Sequence, residues 1–444
     1  MYQSYYYTNK VTAHHDQLVH IIVIFFLFLS NCWSAISGFV LHMGDTTRIP
    51  IGFLLAVFFI VIVFYGNTLR PFKTVIIYFT TLIVFTLINL FFQGVKFTTF
   101  DLSLLDVVGR LLYCYIFFIV LLWSLKRSFL NTMYAMSCSS LLVCLFYIAN
   151  TGMKEFGASD NLSLRLLSSV INANEVAYCA TATIFVTICI THFEIHKKSV
   201  LRNCFLLIVI AISFWLIIAT ACRTAFITIS IILFGYLIIF FRNRFSTAKT
   251  IVLSLIILII VVFTRETIIS NTIVGKRLSK GIEWETEMYE QKFGGDSWWI
   301  DQFLGERAVY FHDGYKIFQQ SPWFGIGYKN YMFYSSTHNV CHIEYISQLA
   351  EGGIVGFVLY MFFLSCVIKN CYQTARNKGL FNQITILGFC GLTATMLFGF
   401  GLFTINQFPF YISCATTLAL TSSSQKENQY AEIPCCDFNE QHPL

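Results

Sequence analysis

The sequence is short of charge. Asp, Glu, Lys and Arg make up only 12% of its 444 residues, about half the roughly 25% of a soluble domain. That shortfall excludes an ordinary water-soluble fold of this length: lipid must cover surface that charged side chains would otherwise keep in water. The chain also lacks any C-x-x-C pair among its 15 cysteines, so neither a zinc site nor a dithiol redox motif is supported. Cys114, Cys138, Cys144, Cys179 and Cys189 sit in apolar runs and read as small packing residues. Cys435 and Cys436 are adjacent in a polar tail, where the outside alternative is lipidation. No internal repeat is visible. The apolar stretch 18–41 has no small-residue cleavage site after it, so it is expected to be a membrane helix and not a removable signal. The net charge of +6 gives no reason to expect nucleic acid.

What is present is apolar length. The chain is 57% hydrophobic, with 47 Phe and 23 Tyr. A bilayer core of roughly 30 Å needs about 20 apolar helical residues, and only helices satisfy their backbone there within one segment. Candidate runs lie near 18–41, 50–66, 72–94, 105–125, 129–149, 173–193, 203–221, 224–241, 250–264, 352–369, 383–404 and 406–421. The expected fold is therefore all-α and polytopic, with about 12 transmembrane helices. Nine span residues 1–264, a large periplasmic loop fills 265–350, three more helices follow over 351–421, and 422–444 is a polar cytoplasmic tail without structure. Basic residues test this count. With the N-terminus inside, inner loops hold Arg70 and Lys73, Lys126 and Arg127, Lys197, Lys198 and Arg202, Arg242, Arg244 and Lys249, and Lys369, Arg376 and Lys378. The short outer loops hold far fewer: Arg48, Lys96, Lys154, Arg165 and Arg223. Lys and Arg favour the cytoplasmic side, and one missing helix would invert the pattern downstream. The long loop, with Trp284, Trp298, Trp299 and Trp323, is expected to lie on the membrane surface.

Four stretches carry residues suited to chemistry. In HIEYISQLAEGGIVG, His342 and Glu351 stand nine residues apart, ahead of Gly353 and Gly356. If 342–351 is helical, Ile343, Ile346 and Leu349 share an apolar face, leaving His342 free to act as a base near neutral pH or to sit as an interfacial histidine. GERAVYFHDGYKIFQQSPWFGIGYKNY reads as an amphipathic helix led by Arg307, a turn at Pro322 and a Gly-rich loop. Its lone GxG lacks the strand–turn–helix setting of a nucleotide site, while Arg307 can grip a phosphate or be a solvated surface arginine. In ATACRTAF, Arg223 lies between two apolar helices, and an arginine so placed is functional by default unless it snorkels. In RLLSSVINANEVAY, which begins at Arg165, Asn172 and Asn174 precede a helix and can cap it. Asp106 and Arg110 read as a pair or as cavity lining, ranked below the others. Under one topology Arg165, Arg223, Arg307 and His342 all fall on the outer face. That grouping suits an anionic lipid-linked substrate such as a polyprenyl pyrophosphate, whose developing charge arginines can neutralise without a metal.

These motifs, in this order, resemble the O-antigen ligase and Wzy-type O-antigen polymerase superfamily of bacterial glycan enzymes. The resemblance rests on HIEYISQLAEGGIVG, SPWFGIGYKNY preceded by GERAVYF, TACRTAF and INANEVAY. The family commonly has His-Asn, then Glu nine residues after the His, then Gly-x-x-Gly. His342, Glu351, Gly353 and Gly356 keep that spacing, but Ile343 stands where the family has Asn. The His338–Asn339 pair has the wrong spacing, so His338 is held in reserve. The resemblance implies one-step glycan transfer from undecaprenyl pyrophosphate at the outer face of the bacterial cytoplasmic (inner) membrane. His342, Arg307 and Arg223 would be catalytic, and Arg165, Asn174, Glu351 and His338 substrate-binding. No metal and no cofactor are implied. The partners would be lipid-linked glycan donor and acceptor, membrane lipids and a chain-length regulator. The Phe-, Ile- and Tyr-rich composition also resembles the products of polysaccharide gene clusters, which favours a repeat-unit polymerase. A ligase acting on lipid A–core remains the alternative, with a flippase or other transporter third. A transporter would be expected to carry mid-membrane charges and two-fold repeats.

Overall fold

The computed structural model describes residues 2–36, 48–94, 96, 104–151, 173–194, 199–220, 222–244, 307–336, 338, 341–400 and 407–431. Among these residues there is no strand. Eight stretches among them bear the length and apolarity of membrane spans, and the first seven are formed by α1 (Tyr2–Ala35), α2 (Arg48–Tyr65) and α3 (Lys73–Gln93) joined as one apolar stretch, Ile51–Gln93, α4 (Leu104–Arg127), α5 (Phe129–Thr151), α6 (Ala173–Phe193), α7 (Val200–Thr220) and α8 (Arg223–Arg244). The two are linked by a 3-10 turn, Gly66–Phe72, that contains Pro71. As one straight helix, the 43 residues of that stretch would run about 65 Å, twice the bilayer core. After α8 the described chain resumes with α9 (Arg307–Gln320), the short α10 (Tyr331–Tyr334), α11 (Glu344–Lys378), α12 (Gln383–Phe398) and α13 (Phe408–Ala431). Of these, α11 completes the set of span-like helices and α12 is a shorter apolar helix. The expected span 250–264, the loop stretch 265–306 with Trp284, Trp298 and Trp299, and the chain beyond 431 lie outside the described residues.

One region departs from the sequence reading in a simple way. The chain after Leu420 was expected to be unstructured, yet α13 continues to Ala431. Thr421 and Ser422 donate their hydroxyls back to the carbonyls of Thr417 (2.8 Å) and Ala419 (3.3 Å). Buried hydroxyls can thus be satisfied within the helix itself.

Polar side chains mark the two ends of the bundle. At one end Arg127 pairs with Asp16 at 2.9 Å, and Tyr65 donates to Asp16 at 2.8 Å. Tyr134 donates to Glu194 at 2.5 Å, and Arg202 reaches the same carboxylate at 3.4 Å. The 3-10 turn carrying Arg70 is here too, as are the last turns of α4 and α11 with Lys126, Arg127, Arg376 and Lys378. Arg70, Lys126, Arg127, Arg202, Arg376 and Lys378, described residues among those assigned to inner loops from sequence, thus gather at one end. At the other end are the close of α3, the starts of α4 and α6, the close of α12 and the start of α13. Asn89 binds the chain at Phe324 and Glu351, Tyr178 packs on Phe398, Tyr113 packs on Phe408 and Gln407 bonds Glu175. Between the ends, helices are joined by buried polar contacts. Asn31 donates to Ser139 and Ser140 at 2.7 and 2.9 Å, and Ser137 and Thr187 lie 3.0 Å apart. Such bonds contribute about 0.6 kcal/mol each between membrane helices.

Candidate functional site at the acidic end of the long helix

The site is organised by a break in α11. As a straight helix its 35 residues would run about 52 Å, longer than a bilayer core needs. Gly353, with φ 63 and ψ −163, interrupts it. A break strands backbone groups, and buried ones must find other partners. Here a second segment supplies them. The 321–330 loop lies against the break, and Ile326 and Gly327 donate their N–H groups to the carbonyls of Ala350 (3.1 Å) and Glu351 (3.0 Å). In return Ile354 and Val355 donate to the carbonyls of Pro322 (2.8 Å) and Trp323 (3.2 Å). Asn89, near the end of the apolar α3, closes the arrangement by donating to the carbonyls of Phe324 (2.6 Å) and Glu351 (3.0 Å). Two glycines permit this contact. A Cβ on Gly325 would lie 2.3 Å from the Glu351 carbonyl, and one on Gly353 would lie 2.5 Å from that of Trp323. The two glycine motifs of the sequence are therefore two halves of one backbone interlock.

Around it sits a small second core of Ile317, Ile326, Tyr331, Cys341, Ile343, Ile346 and Ala350. This core packs α9 and the loop on the first turns of α11. Of the expected apolar face, Ile343 and Ile346 join this core while Leu349 is half-buried outside it, and the helix begins at Glu344 and not at His342. The Ile343 backbone is extended (φ −124, ψ 104), which leaves His342 in the turn before the helix. Its ring is half-buried and meets the ring of Tyr310, from α9, edge-on at 5.4 Å. Tyr310 in turn receives the Tyr331 hydroxyl on its carbonyl at 2.7 Å. Asp313 accepts from the N–H and hydroxyl of Ser336 at 2.8 and 2.7 Å, tying α9 to the turn that precedes His342.

The other anticipated residues are placed unequally. Glu351 is 5% exposed. Its Oε1 accepts from the Tyr331 N–H at 3.0 Å, while its Oε2 is buried without a hydrogen-bond partner. His338 is exposed, on a left-handed backbone with φ 50. Asn174 lies in the first turn of α6, inside the helix and not at its cap; Asn172, at the cap side, lies outside the described residues, as does Arg165. Arg223 and Arg307 are the first residues of α8 and α9, and their side chains lie outside what is described. A Cβ on Gly235 would meet Cys390 and Ile386, while the Cys390 thiol bonds the Ile232 carbonyl. That register makes α8 and α12 antiparallel and sets the start of α8 at the end of the bundle where α12 closes. There Gly399 accepts the Glu344 N–H at 2.8 Å.

Sequence reasoning missed a group of buried charges. Glu344 is fully buried, and its Oε1 accepts from Gln348 at 2.6 Å. Together with Arg110 of α4, Glu175 of α6, Lys329 of the loop and Glu351, it forms one electrostatic cluster. Burial pulls the Lys329 ammonium down from the ordinary lysine range to about 8; Arg110 adds to the shift, while Glu351, Glu344 and Glu175 oppose it. Glu344, Gln348 and Glu351 were findable, because positions i, i+4 and i+7 share one helix face. Asn89, an amide inside an apolar run, was another available signal. Among the described residues no group of three His, Cys, Asp or Glu is placed to hold a metal ion.

Residues 208–361 match the family model described as O-antigen ligase. The matched segment begins in α7, passes through Arg223, Arg307 and His342, and ends just beyond the Gly353 break. It supports the O-antigen ligase and Wzy superfamily for this chain. No curated protein matches the chain.

Proposed function

From that family match we propose that the chain is a membrane glycosyltransferase. It would take a glycan from a polyprenyl pyrophosphate carrier and place it on a hydroxyl acceptor, at the end of the bundle opposite the cation-rich helix ends. The observation that supports the reading is the interlock of the 321–330 loop on the Gly353 break, because it joins SPWFGIGYKNY to HIEYISQLAEGGIVG within the matched segment. We take α2, α3, α12 and α13 as separate crossings; with 250–264 these bring the total to twelve and put His342 on the outer face. In this reading His342 accepts the acceptor hydroxyl's proton as its oxygen attacks the anomeric carbon, and the carbon–phosphate oxygen bond breaks. Arg223 and Arg307 open helices, where N–H groups and the helix dipole already favour anions. Their guanidinium groups would neutralise the departing pyrophosphate.

We take the acceptor to be another lipid-linked repeat unit, which makes the chain a polysaccharide polymerase of the inner membrane. The description of the matching family favours a second reading, a ligase with a lipid A–core acceptor. Purified protein with a lipid-linked repeat unit tests the common chemistry. Arg223→Ala and Arg307→Ala should each lower transfer by about 10²-fold or more while the protein still inserts; wild-type rates in either variant would remove that residue from the site. Treatment with EDTA should leave the wild-type rate unchanged, and strong inhibition would reject a leaving group stabilised by arginines alone.

A further inference from the structure

Lys329 has three features that do not fit a merely structural lysine. Its backbone is left-handed, with φ 67, a region that residues other than Gly, Asn and Asp seldom occupy. Its surface is only half-buried, yet its ammonium sits deep among protein atoms and faces charges from three helices. Its neighbour across the cluster, Glu351, has an Oε2 that is buried without a hydrogen-bond partner. Strained backbone and buried charge gather at functional sites, and an unpartnered buried carboxylate oxygen marks a place for a hydrogen-bond donor.

We propose that Lys329 is a positioning residue for glycan transfer: its ammonium is the counter-charge of Glu351, whose second carboxylate oxygen takes a hydroxyl of the incoming glycan. This rests on the glycosyltransferase reading above. The loop holds Glu351 directly, since the Tyr331 N–H, two residues after Lys329, bonds its carboxylate at 3.0 Å. Asn330, between them, donates to the carbonyls of Gly94 (2.9 Å) and Ile326 (2.8 Å) and accepts from the Lys96 N–H (2.8 Å). Three carboxylates, Glu175, Glu344 and Glu351, face two cations, Arg110 and Lys329. Such a cluster does not invite a further anion; it suits a hydroxyl donor. It reaches the surface through Arg110, Glu175 and Lys329, each half-buried.

The charge is held at the expense of stability. The ammonium loses its proton at about pH 8 in the folded chain, against an ordinary value of 10.5. Between those values Lys329 keeps its proton only in the unfolded chain, so its own contribution to stability rises with pH, while the buried Tyr328 phenol and Cys341 thiol, both raised by burial, contribute with the opposite sign, and the melting midpoint is read beside the rate. The groups facing Lys329 or its partners that also titrate are Tyr328, Cys114, Tyr411 and Cys341, all buried, and Tyr345 and Cys179, both half-buried. Burial and the surrounding carboxylates hold the Tyr328 phenol well above its ordinary range.

The test uses the full-length protein in detergent or lipid, with a lipid-linked repeat unit as probe. The wild-type rate should fall as pH rises through about 8. Lys329→Arg should keep activity and move that alkaline limb upward by at least one pH unit, because arginine stays charged. Lys329→Met should transfer at least tenfold more slowly, lack that limb and melt no lower than wild type. Lys329→Met with Glu351→Gln should be no slower than Glu351→Gln alone. The proposal is overturned if Lys329→Met melts lower and its loss adds in full to that of Glu351→Gln, or if the limb stays in place in Lys329→Arg. Should Lys329→Met fail to insert, the limb in Lys329→Arg decides alone. An inactive wild-type protein would instead overturn the glycosyltransferase reading.

Discussion

Gly353→Ala is expected to destabilise the folded protein by about 3 kcal/mol or more and to abolish transfer. Two effects add at this position. The backbone has φ 63 and ψ −163, a region open essentially to glycine alone. The new Cβ would also sit 2.5 Å from the carbonyl carbon and oxygen of Trp323, which belong to the loop backbone and cannot swing aside. Relief would require the loop to lift, releasing the bonds that Ile326, Gly327, Ile354 and Val355 make across the break. Neighbouring glycines are the controls. A Cβ on Gly352 comes no nearer than 3.6 Å to anything, and one on Gly356 is crowded by the ring edge of Phe85 at 3.0 Å, with the Gln348 carbonyl at an ordinary 3.7 Å. Gly352→Ala should therefore fold like wild type, and Gly356→Ala should fall between. Thermal midpoints of the purified variants check the order, and equal midpoints for Gly353→Ala and Gly352→Ala would remove the interlock from the account.

His342→Ala should lower transfer by about 10²- to 10⁴-fold, the range of a lost general base, with little change in the melting midpoint. The ring is half-buried, and its ring neighbour is Tyr310, so removing it opens no large cavity in the second core. His338 lies a few residues upstream on an exposed turn, and His338→Ala should stay near the wild-type rate. Single-turnover rates on a lipid-linked repeat unit separate the two. The reverse ranking would move the base to His338 and take with it the nine-residue spacing to Glu351.

The all-helical architecture and its span-like apolar stretches were legible because they depend on apolar length. The end of the bundle with Lys126, Arg127, Arg202 and Lys378 is the end that the charge pattern assigns to the cytoplasm. The site was legible in outline. Gly353 and Gly325 stood out as motif glycines, and Glu351 as the acidic member of the pattern. Their joint purpose was hidden, because a loop pairing with a broken helix brings together segments that no periodicity links. Helix α11 starts later than expected for a related reason. Its first N–H, at Glu344, is satisfied by Gly399, a tertiary partner that propensity cannot foresee. Lys329 was the least legible residue. Nothing local marks a lysine for a left-handed backbone, and its charge acquires meaning only beside Arg110, Glu175 and Glu344 from distant parts of the chain.

The most direct test of the central claim is the electrophoretic glycan profile of a deletion strain complemented with wild-type or His342→Ala protein. The account predicts lipid A–core carrying a single repeat unit in the deletion and in the His342→Ala strain, and the full ladder of chain lengths with wild type. Loss of all surface polymer, with lipid-linked chains accumulating, would move the assignment to the ligase. A profile unchanged by the deletion would contradict glycan transfer by this chain.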